Sequence, residues 1–537
     1  MGLEHIATVI VLLALVTALA EVTDRIRVPY PILLVLTGIG FGLIPGLPKI
    51  ALDPEIVFLI FLPPILYAAA WNTSWADFKA AKRPITLLAI GCVIFTTCAV
   101  AWVAQMMIPE LGWAEAFVLG AIISPPDAVA ATSATKGLGL PKRVITILEG
   151  ESLVNDATGL IAYRYAVAAV ISGGFHIWHA GLEFVMVALG GIALGFVIGF
   201  AFKWIHKITP DNPTTDTTLT FLAPFVTYLV AEALEISGVL AVVVAGLYMS
   251  WNSSTVFSQQ TRLQANGTWN TIIFMLNGII FILIGLQLPE IVDAIEDKSA
   301  GTLIFYGAIV SAAVIAGRII WVYPGTFLPR LLSKKVRTTE PKPSIRLVSI
   351  VAWSGMRGVV SLAAALALPL TLDGTAPFPN RNLIIFLTIC VIFSTLVLQG
   401  LTLRPFIKWM NIRPDDGEHR LEEEARLRLA TSIIEFIEEN YSLALSEDVL
   451  NRIKTKYEIR IQRMRKDGTH NALDDEKIDE FHRIQQELLD KERSLILDLR
   501  AQAKVSDETM RRIEYELDLE ETRLILERGV RHPVGTM

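Results

Sequence analysis

Residues 143–172 combine an apolar, helix-forming stretch with oxygen-bearing side chains at helical spacing. Within the segment GESLVND, Ser152 and Asp156 are four residues apart. Because a helix turns about 100° per residue, both side chains lie on one face. Asn155 flanks that face, and Glu151 lies four residues before Asn155. Hydroxyl, amide and carboxylate oxygens suit a small, hard cation. The spacing therefore predicts a cation or proton site, with Asp156 and Ser152 as the ligands of the metal ion.

Other ionisable residues also lie within apolar stretches long enough to cross a bilayer. Such a group at mid-span costs at least ~2.5–3.5 kcal/mol on insertion scales, which makes it a functional-site hypothesis by default. Glu149 is nearer the end of its stretch, and we interpret it as ordinary. The other charges that we consider are Asp127, Arg318, Arg357 and, near the end of its stretch, Glu232.

Two of these stretches contain helix-breaking residues next to a charge. Pro125 and Pro126 directly precede Asp127, and two successive prolines remove two backbone donors. In the second stretch, the glycines of SGMRG flank Arg357. Non-helical backbone at membrane depth is tolerated only where it is buried in protein or lines a cavity. Broken helices at matching positions of two halves are typical of a transporter binding site.

The buried arginines balance the buried carboxylates. Asp127, Glu151 and Asp156 could all be ionised, whereas Arg318 and Arg357 are always charged. Unpaired buried charge is strongly penalised, so each arginine should face a carboxylate or a helix C-terminus. We expect both arginines to hold helices in register, with direct ion contact as the alternative.

The rest of the sequence is that of a polytopic membrane protein. Hydrophobic residues make up 53% of the 537 residues and charged residues 19%. A crossing helix needs about 20 mostly apolar residues. We predict thirteen spans, of which the eighth and ninth are the least distinct: 5–22, 29–44, 54–71, 84–108, 114–134, 143–172, 180–203, 216–235, 238–251, 268–289, 301–328, 346–370 and 383–405.

Loop charges orient these spans. Cytoplasmic loops are rich in Lys and Arg. With the N-terminus outside, the outer loops contain only Lys49, Lys298 and Arg381 among the basic residues of the loops. We therefore predict a multi-pass protein of the cell membrane whose C-terminal part is cytoplasmic.

The chain is expected to have two parts. Residues 1–413 form the transmembrane cation/proton exchange domain, and residues 414–537 form an acidic helical tail, with a regulatory or assembly role and an unknown ligand. The three cysteines have no metal-ligand spacing, and no basic, aromatic-interleaved patch suggests a nucleic-acid partner. We expect no cofactor.

Six segments in order resemble the sodium/hydrogen exchangers of the monovalent cation:proton antiporter superfamily. They are FLPPILYAAAW, ISPPDAVAA, GESLVNDATGL, AEALEISGVLAVVVAG, AGRIIWVYP and SGMRGVVSLAAALALP, between residues 61 and 369. The resemblance implies an all-α fold of about 13 transmembrane helices with inverted repeats and crossing discontinuous helices 5 and 12. It also implies a homodimer in the lipid bilayer.

The resemblance gives the site residues their roles. Asp156 carries the ion or the proton, and Glu151 pairs with Arg318. Asp127 is expected to meet Asn155 and set the geometry of the site. Glu232 is expected at the entrance or along the ion path. The Asn155–Asp156 pair is similar to the electroneutral branch of the family.

The sequence departs from the family's pattern at two positions. Many prokaryotic relatives have a glutamate where this chain has Ala68, so the site has one carboxylate fewer. Many also have a threonine where this chain has Pro126, so that only the backbone carbonyl of Pro126 could serve as a ligand. Both departures concern the affinity and selectivity for the ion.

The resulting hypothesis is an antiporter that exchanges Na+, or alternatively Li+ or K+, for H+ at a single site, for pH and sodium homeostasis. Burial disfavours the charged form of a carboxylate, so that protons and cations compete for Asp156. A one-for-one exchange would be electroneutral. A cation channel is a weaker alternative because no carbonyl-filter motif is present. An enzyme is disfavoured because no histidine lies in the middle of a span.

Overall fold

A computed structural model gives the arrangement of the chain. It describes residues 11–19, 21, 30–44, 54–135, 138–173, 177–209, 212–293, 295, 298–339, 342–372, 376–412 and 416–441, together with residues 451, 454–455, 457–458, 483–492, 494–495, 513 and 516–524. The predicted outer-loop residue Lys49 and most of the loop before Tyr30 lie outside these ranges.

The described structure is almost entirely helical. Residues 11–19 are helical and precede α1. The elements that follow are α1 (Tyr30–Gly42), α2 (Pro54–Asn72), α3 (Trp75–Ala80), α4 (Lys82–Thr86), a π-helical segment (Leu87–Cys92), α5 (Val93–Met107), α6 (Trp113–Ile123), α7 (Ala128–Thr135), α8 (Lys142–Ser172), α9 (Ile177–Ile208), α10 (Pro213–Ala233), α11 (Gly238–Val256), α12 (Gln259–Asp293), α13 (Ala300–Leu332), α14 (Lys334–Thr339), α15 (Ile345–Trp353), α16 (Val359–Leu366), β1 (Thr371–Leu372), β2 (Ala376–Pro377), α17 (Arg381–Met410) and α18 (Asp416–Tyr441). The two short strands pair antiparallel.

A helix or a broken helix lies at each predicted span. The fifth span is divided into α6 and α7, and the twelfth into α15 and α16. Among the described residues, seven helices are long and apolar enough to cross a membrane. The long helix α8 is not one of them, although α8 extends over 31 residues. The all-α polytopic fold is thus confirmed, whereas the number of thirteen crossings stays a prediction.

The fourth span contains a local irregularity that the sequence analysis did not predict. Between α4 and α5, six residues form a π-helical segment. The indole Nε1 of Trp321, on α13, donates to the carbonyl of Leu87 at 3.0 Å. A π turn frees carbonyl groups from their usual helical partners, so the Trp321 contact gives one of them a donor from another helix.

The eighth and ninth spans are separate helices. After α10 ends, Glu235 adopts a left-handed conformation with φ 57°, which turns the chain. The Ser237 hydroxyl then accepts from the Leu240 amide at 3.2 Å and caps α11. A side-chain cap of this kind begins a new helix because the first amides have no helical partner.

A buried apolar cluster holds several of these helices together in the interior of the bundle. Tyr67 on α2 and Trp269 on α12 pack with ring centroids 5.5 Å apart. Leu153 of α8 and Val242 of α11 belong to the same cluster. Close packing of this kind holds membrane helices together, since lipid tails are as apolar as the side chains themselves.

The chain divides into two compact units. The first contains residues 1–136 and 140–412, and the second contains residues 137–139 and 413–537. In the second unit, α18 is a helix of 26 residues, as expected for a helical tail. Residues 483–492 and 494–495 of the same unit are also helical. The assignment of transport to residues 1–413 and of regulation or assembly to residues 414–537 stays a prediction.

Candidate functional site

The breaks in the two discontinuous helices lie against each other. The Asp127 amide, after the first break, donates to the carbonyl of Met356 in the second at 2.8 Å. In return, the Arg357 guanidinium donates to the carbonyl of Ser124. Both breaks leave backbone groups without helical partners, because prolines and glycines interrupt the helix there. Each break therefore provides a hydrogen-bond partner for a backbone group of the other, at one point inside the bundle.

Asp127 is held by backbone amides at the start of the second halves of both broken helices. Its Oδ1 accepts from the Val129 amide at 2.7 Å. The amides of Ala130 and Val359 also donate to this carboxylate. These amides belong to the first turns of α7 and α16, where unpaired donors and the helix dipole favour an anion. Asp127 thus fixes the geometry of the two breaks.

Asn155 contacts the first break, although not through Asp127. Its Nδ2 donates to the carbonyl of Pro126 at 2.9 Å, and the Asn155 side chain is fully buried. We expected Asp127 to meet Asn155, and this expectation is corrected. The Asp127 carboxylate is taken up by backbone donors, whereas the Pro126 carbonyl, which lies just before α7, needs a donor from outside. The Pro126 carbonyl that could serve an ion thus already accepts one hydrogen bond.

Asp156 and Ser152 line the same cavity, as their spacing predicts. The cavity has a volume of about 250 Å³ and lies beside the first break. The Ser152 hydroxyl accepts from the Ala128 amide at 3.3 Å. Within the described part of the chain, no side chain forms an ion pair with Asp156. A buried carboxylate without a cationic partner is costly unless a proton or a cation neutralises it.

The cavity wall also includes residues to which the sequence analysis gave no role. Glu149 was interpreted as ordinary, yet it lines the cavity. So do Asn72 and Asn270, both exposed, at the end of the bundle that is predicted to face the cytoplasm. The buried residues Asn277 and Ser361 line it as well. A single amide within the apolar stretch IIFMLNGIIF could have indicated Asn277.

The predicted pair of Glu151 and Arg318 is present. Two hydrogen bonds, of 2.5 and 2.8 Å, join the guanidinium to the carboxylate, and both side chains are 1% exposed. Arg318 also donates to the carbonyl of Val351 near the end of α15. A bidentate pair with an extra carbonyl acceptor satisfies most of the guanidinium. This arrangement joins α8, α13 and α15.

Arg357 has no carboxylate partner among the described residues. Its side chain is fully buried, and its bond to Ser124 reaches the carbonyl that ends α6. The arginine therefore faces a helix C-terminus, where the dipole favours a cation. Its Nε and Nη2 have no hydrogen-bond partner in the described part of the chain.

Glu232 lies apart from the cavity. It pairs with Arg164 of α8 at 2.5 Å, and both side chains are partly exposed. Arg164 was not singled out from the sequence, although its position eight residues after Asp156 on the same helix could have suggested a second charge. The placement of Glu232 along the ion path stays a prediction.

Ala68 lines the cavity together with Asp156. The position at which many prokaryotic relatives carry a glutamate is thus part of the wall in this protein. Among the described residues, no cluster of three or more His, Cys, Asp or Glu side chains could hold a resident metal ion.

Long apolar helices around a cavity at two broken helices define a polytopic membrane transport protein. The model of the transmembrane part of sodium/hydrogen exchangers matches residues 10–409. An uncharacterised Na+/H+ exchanger of Mycobacterium tuberculosis is 36% identical over 527 residues, 96% of each chain. The chain therefore belongs to the sodium/hydrogen exchanger family of cation/proton antiporters, and the predicted membership is confirmed.

Relatives with more specific names are also similar. The sodium, potassium, lithium and rubidium/H+ antiporter of Bacillus subtilis is 33% identical over 406 residues, which are 74% of this chain and 60% of that protein. Among solved structures, the sodium proton antiporter MjNhaP1 of Methanocaldococcus jannaschii at pH 8 has a TM-score of 0.59 and 19% identity. The match covers 75% of this chain and 100% of that chain, and it concerns the fold.

Proposed function

We propose that this protein exchanges Na+ for H+ across the membrane, with one ion moved for each proton. The observation that carries the proposal is Asp156, a buried carboxylate without an ion-pair partner, on the wall of a cavity beside two broken helices. Membership of the exchanger family supports cation/proton exchange in general. The choice of Na+ and the stoichiometry belong to the proposal.

The site performs exchange by competition. Asp156 binds either a proton or a cation, and Ser152 supplies a hydroxyl oxygen beside it. Burial penalises the empty, charged carboxylate, so only a loaded site is neutral enough to change its accessibility between the two sides. Asp127 and the Glu151–Arg318 pair hold the surrounding helices in place, because both are already engaged by hydrogen bonds. Arg357 compensates charge at the end of α6.

K+ is the alternative substrate, and one observation favours it. Ala68 leaves the cavity wall with one carboxylate fewer than a glutamate would provide. A site with less negative charge discriminates less strongly in favour of small cations. The Bacillus subtilis relative is named for exchange of sodium, potassium, lithium and rubidium.

The assembly and orientation complete the proposal. We propose a homodimer in the cell membrane, with the N-terminus outside and residues 414–537 in the cytoplasm as a regulatory or assembly tail. The loop charges support this orientation, since basic residues concentrate in the loops that it places inside.

The test is proton flux in proteoliposomes that contain the full-length protein, with Na+, Li+, K+ and Rb+ added in turn. We expect each active cation to release protons from liposomes preloaded with acid, whereas choline does not. A proton flux that does not depend on any of the four cations would reject the exchange. Ionic current through single molecules in planar bilayers would instead support the channel alternative.

A further inference from the structure

Two polar side chains on the cavity wall have oxygens with no partner. Asn277 on α12 and Ser361 on α16 are 2% and 1% exposed. In the part of the chain that the structure describes, the Oδ1 of Asn277 and the Oγ of Ser361 lack a hydrogen-bond partner. Buried polar atoms are nearly always bonded, and an unpaired one costs free energy. Something that enters the cavity is therefore expected to satisfy them.

Both residues line this cavity together with Asp156 and Ser152. A carbonyl oxygen and a hydroxyl oxygen both present lone pairs to an electropositive ligand. Thr132, another hydroxyl residue of the wall, already donates to the carbonyl of Ala128. The Asn155 Oδ1 is also unpaired, but Asn155 is not part of the wall. The Asn277 side chain is also hydrogen-bonded to Tyr30 of α1, which leaves its Oδ1 as the atom without a partner. Among the wall residues, Asn277 and Ser361 are thus distinguished by an oxygen that is buried and unpaired.

The presence of alanine at position 68 creates a need for further oxygen ligands. The wall at this position offers a methyl group, so the cation shell around Asp156 needs oxygens from elsewhere. The helices α12 and α16 bring Asn277 and Ser361, each with a neutral side-chain oxygen, to the wall of the same cavity. A shell with one carboxylate and several neutral oxygens has a weaker field than a shell with two carboxylates, and a weak field separates alkali cations less sharply.

We propose that Asn277 and Ser361 are cation ligands, which complete the shell around Asp156 and set its selectivity. This inference rests on the proposed exchange function. The substrate class that it implies is the monovalent alkali cations, with K+ and Rb+ accepted beside Na+. Asp156 carries the charge of the site, and the two neutral ligands determine how tightly each cation is held.

The experiment measures cation-dependent proton flux in proteoliposomes for Asn277→Leu and Ser361→Ala. Removing one neutral ligand should raise the cation concentration for half-maximal flux roughly tenfold, while the flux at saturating cation changes little. Gln287→Leu is the matched control, because Gln287 lies on the same helix and its Oε1 is also unpaired. That control should keep the wild-type half-saturation value.

The selectivity between K+ and Na+ is a second measurement, which a merely structural role of Asn277 would leave unchanged. Asn277→Asp adds a carboxylate to the wall and should shift the ratio of half-saturation values for K+ and Na+ in favour of Na+. Asn277→Asp also replaces Asn277→Leu in the test if gel filtration and thermal unfolding show that Asn277→Leu does not fold. Unchanged half-saturation values and an unchanged K+/Na+ ratio in folded variants would overturn the ligand role. A wild-type protein without cation-dependent flux would instead reject the exchange function itself.

Discussion

Glu151 and Asp156 lie on the same helix, five residues apart, and have opposite surroundings. Five residues turn the side chain by about 140° around the helix axis. Glu151 therefore faces Arg318, with which it forms two hydrogen bonds. Asp156 faces the cavity, where the described residues offer no cationic partner. Burial alone does not distinguish these two carboxylates, since both are nearly inaccessible.

The difference shows what turns a buried charge into a site. A carboxylate whose two oxygens both accept from a guanidinium already has its partner, and removing that partner would leave a buried charge unpaired. A carboxylate with open space beside it can bind a proton or a small cation in turn. We therefore assign stability to Glu151 and transport to Asp156.

The strongest test of this division is Asp156→Asn. We expect complete loss of cation-dependent proton flux, because an amide binds neither an exchangeable proton nor a cation with comparable strength. The fold should persist, since the change is isosteric and breaks no ion pair of the described structure. Flux in proteoliposomes and thermal unfolding in detergent provide the two measurements.

Glu183→Gln is the control for Asp156→Asn. Glu183 is an exposed carboxylate on α9, away from the cavity wall. Its loss should leave the flux unchanged. Substantial flux from Asp156→Asn would end the single-site mechanism.

The next test concerns the paired carboxylate. Glu151→Gln or Arg318→Gln should lower the free energy of unfolding by ~3–5 kcal/mol, because the remaining charge is left buried without its partner. The double variant should lose much less than the sum of the two single variants. Reversible unfolding in detergent micelles measures the cycle.

The pair of Arg164 and Glu232 provides a matched cycle. It has a similar N···O distance, but its side chains are 48% and 36% exposed. The coupling there should be below about 1 kcal/mol. Equal coupling in both cycles would mean that burial does not strengthen the Glu151–Arg318 pair. Stability could then not be assigned to Glu151 in contrast to Asp156.

Much of this comparison could be predicted from the sequence. Residue spacing places Ser152 and Asp156 on one face, and both line the cavity. The partner of Glu151 was predicted from the family resemblance, since charge balance alone allowed either arginine. The prolines and glycines located both helix breaks, because their backbone chemistry acts locally.

The rest depends on contacts between distant segments. The sequence does not show which groups meet at the first break. There, the Pro126 carbonyl accepts from Asn155, 29 residues away, and the Asp127 carboxylate accepts from backbone amides. Asn277 and Glu149 join the cavity only through the packing of α12 and α8. Periodicity identifies the face of one helix, whereas a cavity needs the relative placement of several helices.

A smaller effect is expected at Gly358, where the second break approaches Asp127. A Cβ on Gly358 would overlap the Asp127 carboxylate, so Gly358→Ala must displace that carboxylate from its backbone donors. We expect a loss of about 1–3 kcal/mol of stability and a reduced flux, with Asp156 still competent. Residual flux that keeps its cation dependence distinguishes this variant from Asp156→Asn.

Gly40→Ala is the control for Gly358→Ala. Gly40 lies on α1 and has open space within 4 Å of an added Cβ. It should change stability by less than about 1 kcal/mol, in the direction that helix propensity favours. Equal losses in the two variants would show that the second break tolerates a side chain, and that Asp127 does not need its fixed position.

The smallest expected effect is that of the membrane potential on exchange. In the proposed mechanism, Asp156 is the carboxylate of α8 that gives up a proton when a cation binds. Glu151 is held by Arg318, and Glu149, which also lines the cavity, is only half-buried. Asn155 has no proton to release, and its Nδ2 is engaged with Pro126.

One cation for one proton moves no net charge. The steady-state Na+ gradient should then be the same at 0 and at about −100 mV, a potential worth ~2.3 kcal/mol per charge moved. The potential is set with a gradient of the permeant anion thiocyanate, because K+ is itself a proposed substrate. The same clamp without Na+ controls for proton leak. A gradient that follows the potential would show that a second carboxylate releases a proton. Glu149 on the cavity wall could supply that proton, whereas Asp127 or Glu151 could do so only by leaving their present hydrogen-bond partners.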